Sequence, residues 1–368
     1  MAKTPDLKDI DKNMAFENRS ADGMDWYTVD DEGFSLEGLY WRKPGEPYRR
    51  IPSNVQAPTG VEALAGNTAG VMLRFCTDAT EIRINAFFEN WFYMDHMAPV
   101  GTRGFDLYVG SGTKKCYART SRIDCTKDEY TVTVWGPDAK KEMREFTLHF
   151  PLYAQPDKVR IGLSCGAKVA PATPWKDPRP VVSYGTSIQQ GGCASRPGMC
   201  HTNILSRKLG RPFINLGFSG SGRGEPVMAE VIAEIENPAL LILDYDANAG
   251  VPGLRNTLSN FIDILRAKHK EVPILLVSRL PYAREFYNPE EFAQERLDFT
   301  SIHQNEVAKR RAAGDNNIYF LDGSTLYGDE PSECTVDGVH ATDYGFAQVA
   351  RNMAPVIEKI IGSVADTE

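Results

Sequence analysis

Two distant stretches of the sequence carry the residue types of a serine hydrolase. Ser187 closes the segment Tyr184-Gly185-Thr186-Ser187, which ends an apolar run, and near the C-terminus Asp337 and His340 stand three residues apart. A serine hydroxyl is a weak nucleophile until a base takes its proton, and a neutral imidazole needs an acceptor that sets its tautomer and orientation. The spacing therefore predicts Ser187 as nucleophile, His340 as base and Asp337 as the acceptor that holds the ring.

A serine hydrolase also needs hydrogen-bond donors aimed at the oxyanion that forms on the ester carbonyl. Each well-placed donor stabilises the transition state by roughly 3 kcal/mol. We predict three donors: the backbone N–H of Ser187, the backbone N–H of Gly217 and the side-chain amide of Asn248. A glycine at position 217 would let the main chain turn sharply and approach a ligand closely.

Taken singly, each of these residues also has a purely structural explanation. Ser187 could cap a helix, Gly217 could mark an ordinary strand-to-helix turn, and Asn248 could serve a turn. Ser219 and Ser221 are alternative nucleophiles, although their Gly-Ser turn is better suited to supplying backbone donors.

The elements that must position these residues change character along the chain. Between about residues 26 and 165, strand-like runs alternate polar and apolar residues and are rich in Val, Ile, Thr and aromatic side chains; they lie at 71–75, 81–85, 105–109, 130–135 and 158–163. Short alternating strands broken by Gly, Pro, Asp and Asn predict an antiparallel sandwich or jelly roll.

A second pattern begins after a segment that has four prolines between residues 169 and 180. Apolar strands at 180–184, 212–216, 240–244, 273–277 and 318–321 alternate with helical patterns at 200–209, 225–236, 254–269, 289–313 and 344–361. This order predicts an α/β domain with a parallel sheet covered on both faces. We therefore divide the chain into an N-terminal extension (1–25), an all-β domain (26–176) and an α/β domain (177–368).

The candidate residues all follow strands of the predicted parallel sheet. In such sheets the ligand site lies beyond the carboxyl ends of the strands. Ser187 follows the first strand, Gly217 the second and Asn248 the third, while Asp337 and His340 follow the last. Their joint position favours a site over the separate structural explanations.

Four short motifs resemble the blocks of the SGNH/GDSL hydrolase superfamily: Gly185-Thr186-Ser187, Gly217-Phe218-Ser219-Gly220, Asp246-Ala247-Asn248 and Asp337-Gly338-Val339-His340. In addition, Gly104-Phe105-Asp106-Leu107-Tyr108 resembles the GxDLY motif of the β-rich module that precedes one SGNH subgroup of esterases. The resemblance covers the chain from about Trp26 onward. It implies a flavodoxin-like three-layer α/β domain and the catalytic and donor roles assigned above. Two departures, Thr186 for the Asp of GDS and DxN for GxND, argue against close kinship with the better-known lipases.

Residues that contact substrate are harder to predict. Gln190 and Arg196 lie in the loop after the nucleophile, Arg279 ends a strand on the same rim, and Tyr93 and His96 lie in an aromatic segment of the first domain. We treat these five as candidate substrate contacts. Their structural alternatives are a helix-entry loop, an ion pair and an aromatic core, respectively.

Composition limits the partners. The chain has 368 residues, 42% of them hydrophobic, and a formal net charge of −8. An acidic chain is poorly suited to nucleic acid, and no apolar stretch approaches the length of a membrane span. The first sixteen residues lack the apolar core of a secretory signal and the seven cysteines form no CxxC pair, so we expect a cytoplasmic location without a membrane partner.

The sequence thus predicts a serine esterase that hydrolyses small acyl esters, acetyl above all, on a carbohydrate or another polar substrate. The mechanism requires no metal or organic cofactor, and a metal site at Cys193, Cys200 and His201 lacks the usual ligand spacing. Two alternatives stay open. One is a lysophospholipase or thioesterase with the same relay, and the other is a catalytically silent glycan-binding protein.

Overall fold

The computed structural model describes residues 22–137 and 139–363. Most of the predicted N-terminal extension, residues 1–21, and the last five residues lie outside the described part. Within that part, no helix is both long and apolar enough to cross a bilayer.

Two antiparallel sheets form the first domain. One has the strand order β1-β9-β4-β7, and the other has the order β10-β3-β8-β5-β6 with β2 paired to β3. The strands are β1 Met24–Thr28, β2 Ser35–Glu37, β3 Met72–Thr77, β4 Ile82–Phe87, β5 Asp106–Val109, β6 Cys116–Thr120, β7 Glu129–Trp135, β8 Arg144–His149, β9 Lys158–Ser164 and β10 Val169–Ala170. Two short helices, α1 Thr59–Leu64 and α2 Pro99–Arg103, lie in the connections.

The two sheets bury a common apolar core. Alternating residues of facing strands supply it, for example Leu73 and Phe75 of β3 and Ile82 and Ile84 of β4, all fully buried. Burial of one face of each sheet explains the period-2 pattern in the sequence. The predicted β-sandwich is confirmed.

The second domain is built on a five-stranded parallel sheet with the order β12-β11-β13-β14-β15. Its strands are β11 Val181–Gly185, β12 Phe213–Gly217, β13 Leu240–Asp244, β14 Ile274–Val277 and β15 Ile318–Leu321. Its helices are α3 Ser187–Gln190, α4 His201–Leu209, α5 Pro226–Ala233, α6 Asp246–Lys268, α7 Arg284–Tyr287, α8 Pro289–Ala312 and α9 Asp343–Ile361. Numbered within the domain, the strand order is 2-1-3-4-5, the flavodoxin-like arrangement, and it confirms the predicted α/β class.

One helix differs from its prediction. Helix α6 begins at Asp246 rather than near residue 254, and it is interrupted at Gly250, where φ is 64° and ψ is 170°. The first turn, which carries Asn248, thus lies against the end of β13, whereas the rest of the helix starts again at Pro252. The positive φ of Gly250, two residues before Pro252, breaks the helical period, so a periodicity argument does not find this first turn.

The two domains are joined by shared packing. Arg50 of the first domain is fully buried, and its guanidinium donates to the carbonyl oxygens of Gly217 (2.7 Å) and Leu64 (2.9 Å). Met97, Leu152 and Tyr153 of the first domain belong to the same apolar cluster as Ile188 and Leu205 of the second. The end of the first domain therefore forms part of the structure around the nucleophile.

Candidate active site

Ser187 is the first residue of helix α3, and Thr186 alone separates it from the end of strand β11. The capping residue is Thr186: its hydroxyl accepts from the Ile188 N–H, and Gln189 Oε1 accepts from the Thr186 N–H at 3.0 Å. This capping box explains why a threonine serves at a position where the resemblance would favour aspartate. Because Thr186 caps the helix, the Ser187 hydroxyl is left for another partner.

That partner is His340. Ser187 Oγ lies 2.8 Å from His340 Nε2, and His340 Nδ1 lies 2.7 Å from Asp337 Oδ2. The ring is therefore held between a hydroxyl and a carboxylate. A proton on Nδ1, donated to Asp337, leaves Nε2 free to accept the serine proton. The structure thus brings Ser187 to a histidine that lies 153 positions later in the sequence, together with the aspartate three residues before that histidine.

The loop that carries Asp337 is closed by its own hydrogen bonds. Asp337 Oδ1 accepts from the backbone N–H groups of Val339 (2.9 Å) and His340 (2.7 Å). Partial burial alone would raise the pKa of the Asp337 carboxyl, but the hydrogen bonds from the His340 side chain and from these N–H groups outweigh it and lower the pKa to about 2. Asp337 therefore remains an anion at any physiological pH.

Two of the three predicted oxyanion donors keep an N–H proton for a ligand. As the first residue of α3, Ser187 has an N–H group with no acceptor inside its own helix. The Asn248 amide donates to the Phe218 carbonyl at 3.2 Å, which places it against the turn that follows β12. An amide nitrogen has two protons, so this contact leaves one of them for a ligand.

The prediction for Gly217 is wrong in detail. Its N–H already donates to Asn215 Oδ1 at 2.9 Å, and the residue is buried. A Cβ at position 217 would stand 2.2 Å from the Gln190 nitrogen and 2.6 Å from the Gln189 carbonyl carbon. Glycine is needed here because helix α3 packs directly on the end of β12, and not because the backbone turns toward a ligand.

The same turn offers a different donor three residues later. Gly220 is exposed, its φ is 65°, and no atom lies within 4 Å of a Cβ built on it. Its N–H has no acceptor among residues 22–137 and 139–363. The sequence signal was present in the second glycine of Gly217-Phe218-Ser219-Gly220, but only the hydrogen bonds distinguish the two.

Arg279 does not contact a substrate pocket. Its side chain is 2% exposed and pairs with Glu285 and, at 2.9 Å, with Glu295. Its backbone N–H donates to Asp246 Oδ2 at 3.2 Å, and both oxygens of Asp246 lie 3.0 Å from His303 Nε2. This buried group fixes the first turn of α6, and hence the position of Asn248. The prediction of Arg279 as a substrate contact is wrong.

Gln190 is also structural. It is fully buried, its Oε1 accepts from the Ser219 N–H (2.9 Å), and its Nε2 donates to the Leu152 carbonyl (3.2 Å). Gln190 thus ties helix α3 to the turn after β12 and to the first domain. Because the side chain is fully buried, its amide does not reach a substrate, so the prediction for Gln190 is wrong.

Arg196 is held by the Asp-Leu-Tyr sequence of strand β5. Its Nη1 donates to Asp106 Oδ2 at 2.6 Å and to the Tyr108 hydroxyl at 2.7 Å, and Asp106 also accepts from the Gly198 N–H. The guanidinium lies 4.0 Å from the centre of the Tyr117 ring. Arg196 therefore anchors the loop after the nucleophile to the first domain, and its prediction as a substrate contact is wrong.

The aromatic segment of the first domain reaches the relay. His96 Nε2 lies 3.8 Å from Asp337 Oδ2, and the His96 ring stands edge-on to the His340 ring with 5.7 Å between centres. Tyr93 is 54% exposed and donates from its hydroxyl to the Cys125 carbonyl at 2.5 Å. Both side chains therefore lie at the surface, and His96 borders the reacting groups.

Cys200 and His201, which we considered and set aside as metal ligands together with Cys193, have other partners. The Cys200 thiol contacts the Gln189 carbonyl (3.5 Å), and the His201 ring stacks on Phe346 with 5.7 Å between centres. Both residues are buried in the packing of α4.

Two family models match the chain. The model of the GDSL-like lipase/acylhydrolase family matches residues 178–358, and the GxDLY model, which describes the N-terminus of SGNH hydrolase-type esterases, matches residues 24–169. Their limits follow the two domains of the structure. No curated protein matches the sequence.

Several solved structures share both domains. A putative GDSL-like lipase from Bacteroides ovatus is 27% identical, with a TM-score of 0.83 over 94% of this chain and 100% of that one. The salicylyl-acyltransferase SsfX3 from a tetracycline biosynthetic pathway is 20% identical, with a TM-score of 0.71 over 94% and 100%. A family two carbohydrate esterase from Cellvibrio japonicus is 12% identical, with a TM-score of 0.60 over 92% and 98%.

Proposed function

Because the chain belongs to the GDSL-like lipase/acylhydrolase family and is a carboxylic ester hydrolase, we propose that it removes short acyl groups, acetyl above all, from the hydroxyls of a carbohydrate or similar polar compound. The observation that carries this proposal is the continuous relay Ser187 Oγ to His340 Nε2 (2.8 Å) and His340 Nδ1 to Asp337 Oδ2 (2.7 Å). This arrangement is the one that serine acyl transfer needs.

In the first half-reaction, His340 Nε2 takes the proton from Ser187 Oγ as the oxygen attacks the ester carbonyl. The carbonyl oxygen becomes an oxyanion, which accepts from the N–H groups of Ser187 and Gly220 and from the Asn248 amide. Asp337 stabilises the imidazolium that forms. His340 then gives its proton to the leaving alkoxide as the C–O bond breaks, and the acyl group remains on Ser187.

In the second half-reaction, water takes the place of the alcohol. His340 accepts a proton from water as the water oxygen attacks the acyl carbon, and the same donors hold the second oxyanion. Collapse of this intermediate returns the proton from His340 to Ser187 Oγ and releases the carboxylic acid. Each donor is expected to lower the barrier by roughly 3 kcal/mol.

The surroundings of the relay support a polar, ring-shaped substrate. Phe92 and Tyr93, 49% and 54% exposed, lie in the same loop as His96, beside the relay. Exposed aromatic rings offer flat faces on which sugar rings can pack. The net charge of −8 gives no attraction to an anionic lipid surface. The same two-domain arrangement occurs in carbohydrate esterases, so we take carbohydrate as the substrate class to test first.

Acetate release is the direct test. Acetylated oligosaccharides, p-nitrophenyl acetate and p-nitrophenyl octanoate are offered to the full chain and to Ser187→Ala, and released acid is measured. The proposal expects turnover of acetate esters that Ser187→Ala abolishes, and a higher kcat/KM for acetate than for octanoate. A preference for octanoate or for acyl thioesters would favour a lysophospholipase or thioesterase. A complete lack of turnover on every ester would favour the silent glycan-binding alternative.

A further inference from the structure

A second group of metal-binding atoms converges on the relay. His96, Cys193 and His340 each offer one ligand atom, and these three atoms all lie within 4.8 Å of one another. The three residues come from three separate segments: His96 from the first domain, Cys193 from the loop after the nucleophile, and His340 from the loop before α9. Only His340 has a part in the ester mechanism. The other two are therefore not explained by the proposed hydrolysis.

Their chemistry suits one kind of ligand. Two imidazoles and a thiolate are the donors that zinc prefers, at about 2.0 to 2.3 Å, with water in a fourth position. Ligand atoms of a tetrahedral ion stand about 3.5 Å apart, so these side chains would have to close by about 1 Å. The His96 side chain is one-third exposed, which leaves its ring room to make that adjustment.

The backbone at Cys193 is held in an unusual conformation. Its φ is 74°, a region that non-glycine residues seldom occupy. The turn is fixed by the Gly192 N–H, which donates to the Ser187 carbonyl at 2.8 Å, and by the Ala194 N–H, which donates to the Gly191 carbonyl at 3.1 Å. The strained position keeps the thiol beside the two imidazoles, and such strain is often retained where a side chain has a function.

We propose that Zn²⁺ binds between His96, Cys193 and His340 and that it reversibly switches off the esterase by taking the His340 ring out of the relay. A zinc bond at Nε2 would occupy the atom that must accept the serine proton, whereas a bond at Nδ1 would displace Asp337 and leave the ring proton on Nε2. The inhibition rests on the proposed function, whereas the binding does not. On binding, the Cys193 thiol loses its proton to solvent and its sulfur bonds to the ion. Burial, with a contribution from Asp337, raises the pKa of the Cys193 thiol to about 12, so the metal must displace that proton.

Direct binding tests the site without any substrate. The full chain, freed of metal with a chelator and then dialysed, is titrated with zinc chloride in a calorimeter. We expect one tight zinc site per chain. In Cys193→Ser and in His96→Ala we expect the zinc affinity to fall at least roughly tenfold, because loss of even a residue that only supports a metal ligand costs that much. Cys116→Ser and His269→Ala remove an exposed thiol and a distant imidazole, so they serve as matched controls and should bind zinc like the wild type.

Inhibition is measured on the same proteins with p-nitrophenyl acetate, each variant relative to its own zinc-free rate. Zinc should inhibit the wild type, the chelator should restore its rate, and half-inhibition of Cys193→Ser and His96→Ala should require at least tenfold more zinc. Equal zinc affinity in the wild type and both site variants, or no binding at all, would overturn the site. Tight binding that leaves hydrolysis unchanged would overturn the inhibitory role. A protein without esterase activity would still give the calorimetric result, so a failure of the proposed function is recognised separately.

Discussion

The carboxylate of Asp106 lies 2.6 Å from the guanidinium of Arg196, across the boundary between the β-sandwich and the parallel-sheet domain. Asp106 is fully buried and also accepts from the Gly198 N–H. The pair thus connects the Asp-Leu-Tyr sequence of β5 to the loop that leaves the nucleophile. This relationship indicates that the first domain supports the shape of the active site.

Breaking this pair should reduce both stability and catalysis. For Asp106→Asn we expect the free energy of unfolding to fall by about 3 kcal/mol, because the Arg196 charge loses its buried partner. We expect kcat to fall up to roughly 100-fold, since small displacements in an active site are costly. Denaturant unfolding and ester kinetics measure the two effects. Asp30→Asn breaks the Asp30–Arg42 pair elsewhere in the same domain and should leave kcat close to that of the wild type.

Removal of the nucleophile should abolish turnover without unfolding the chain. For Ser187→Ala we expect kcat to fall roughly 10⁴- to 10⁶-fold. Ser221→Ala is the matched control, because Ser221 belongs to the turn that we considered as an alternative source of the nucleophile. Circular dichroism establishes that both variants are folded. Loss of activity in Ser221→Ala with retention in Ser187→Ala would contradict the assignment.

The Asn248 amide should act on the transition state rather than on substrate binding. Asn248→Ala is expected to lower kcat roughly 10²- to 10³-fold with little change in KM, as for the loss of one oxyanion donor. Steady-state kinetics with p-nitrophenyl acetate separates the two constants. A rise in KM at constant kcat would instead make Asn248 a residue of ground-state binding.

Gly217 and Gly220 should respond differently to a methyl group. Gly217→Ala places a Cβ 2.2 Å from the Gln190 nitrogen, so we expect a loss of about 1 to 3 kcal/mol in the free energy of unfolding. Gly220→Ala meets open space, and only its positive φ opposes the substitution, at about 1 kcal/mol. Thermal and denaturant unfolding of both variants tests this order. A more stable Gly217→Ala would show that the close packing of α3 on β12 is incorrect.

The rate should depend on pH through the base alone. A protonated imidazole cannot accept the serine proton, so kcat/KM measured between pH 5 and 8 should rise with pH. Because the pKa of Asp337 is held at about 2, its carboxylate stays ionised over that range and adds no second step. A flat profile between pH 5 and 8 would argue against His340 as the base.

The strands and the catalytic residues could be predicted from sequence because both depend on short-range patterns. The five strands of the second domain are apolar throughout, since both faces of the sheet are covered, and glycine-containing turns or helical patterns separate them. Ser187 and the pair Asp337 and His340 stand beyond ends of such strands, where parallel-sheet proteins place their ligands. Their meeting in space follows from the strand order, because all carboxyl ends lie on one edge.

The residues around the relay could not be assigned in this way, because their partners are distant in sequence. Arg196 meets Asp106, 90 positions away, and Gln190 meets Leu152, 38 positions away. Gly217 and Gly220 look alike in the sequence, but the Gly217 N–H donates to Asn215 and the residue is packed against α3, whereas Gly220 is exposed.

The sequence by itself determined two domains of different class. It also placed a serine after the end of one strand and an acid and a histidine after the end of another. Both results depend on periodicity and turn residues, which involve only neighbouring positions in the chain. The tertiary structure alone decided which polar groups are already satisfied, and it alone brought His96 and Cys193 beside His340. The physical reason is that a buried polar group takes whatever partner the packing brings within hydrogen-bonding distance, and packing joins segments that are far apart in the chain.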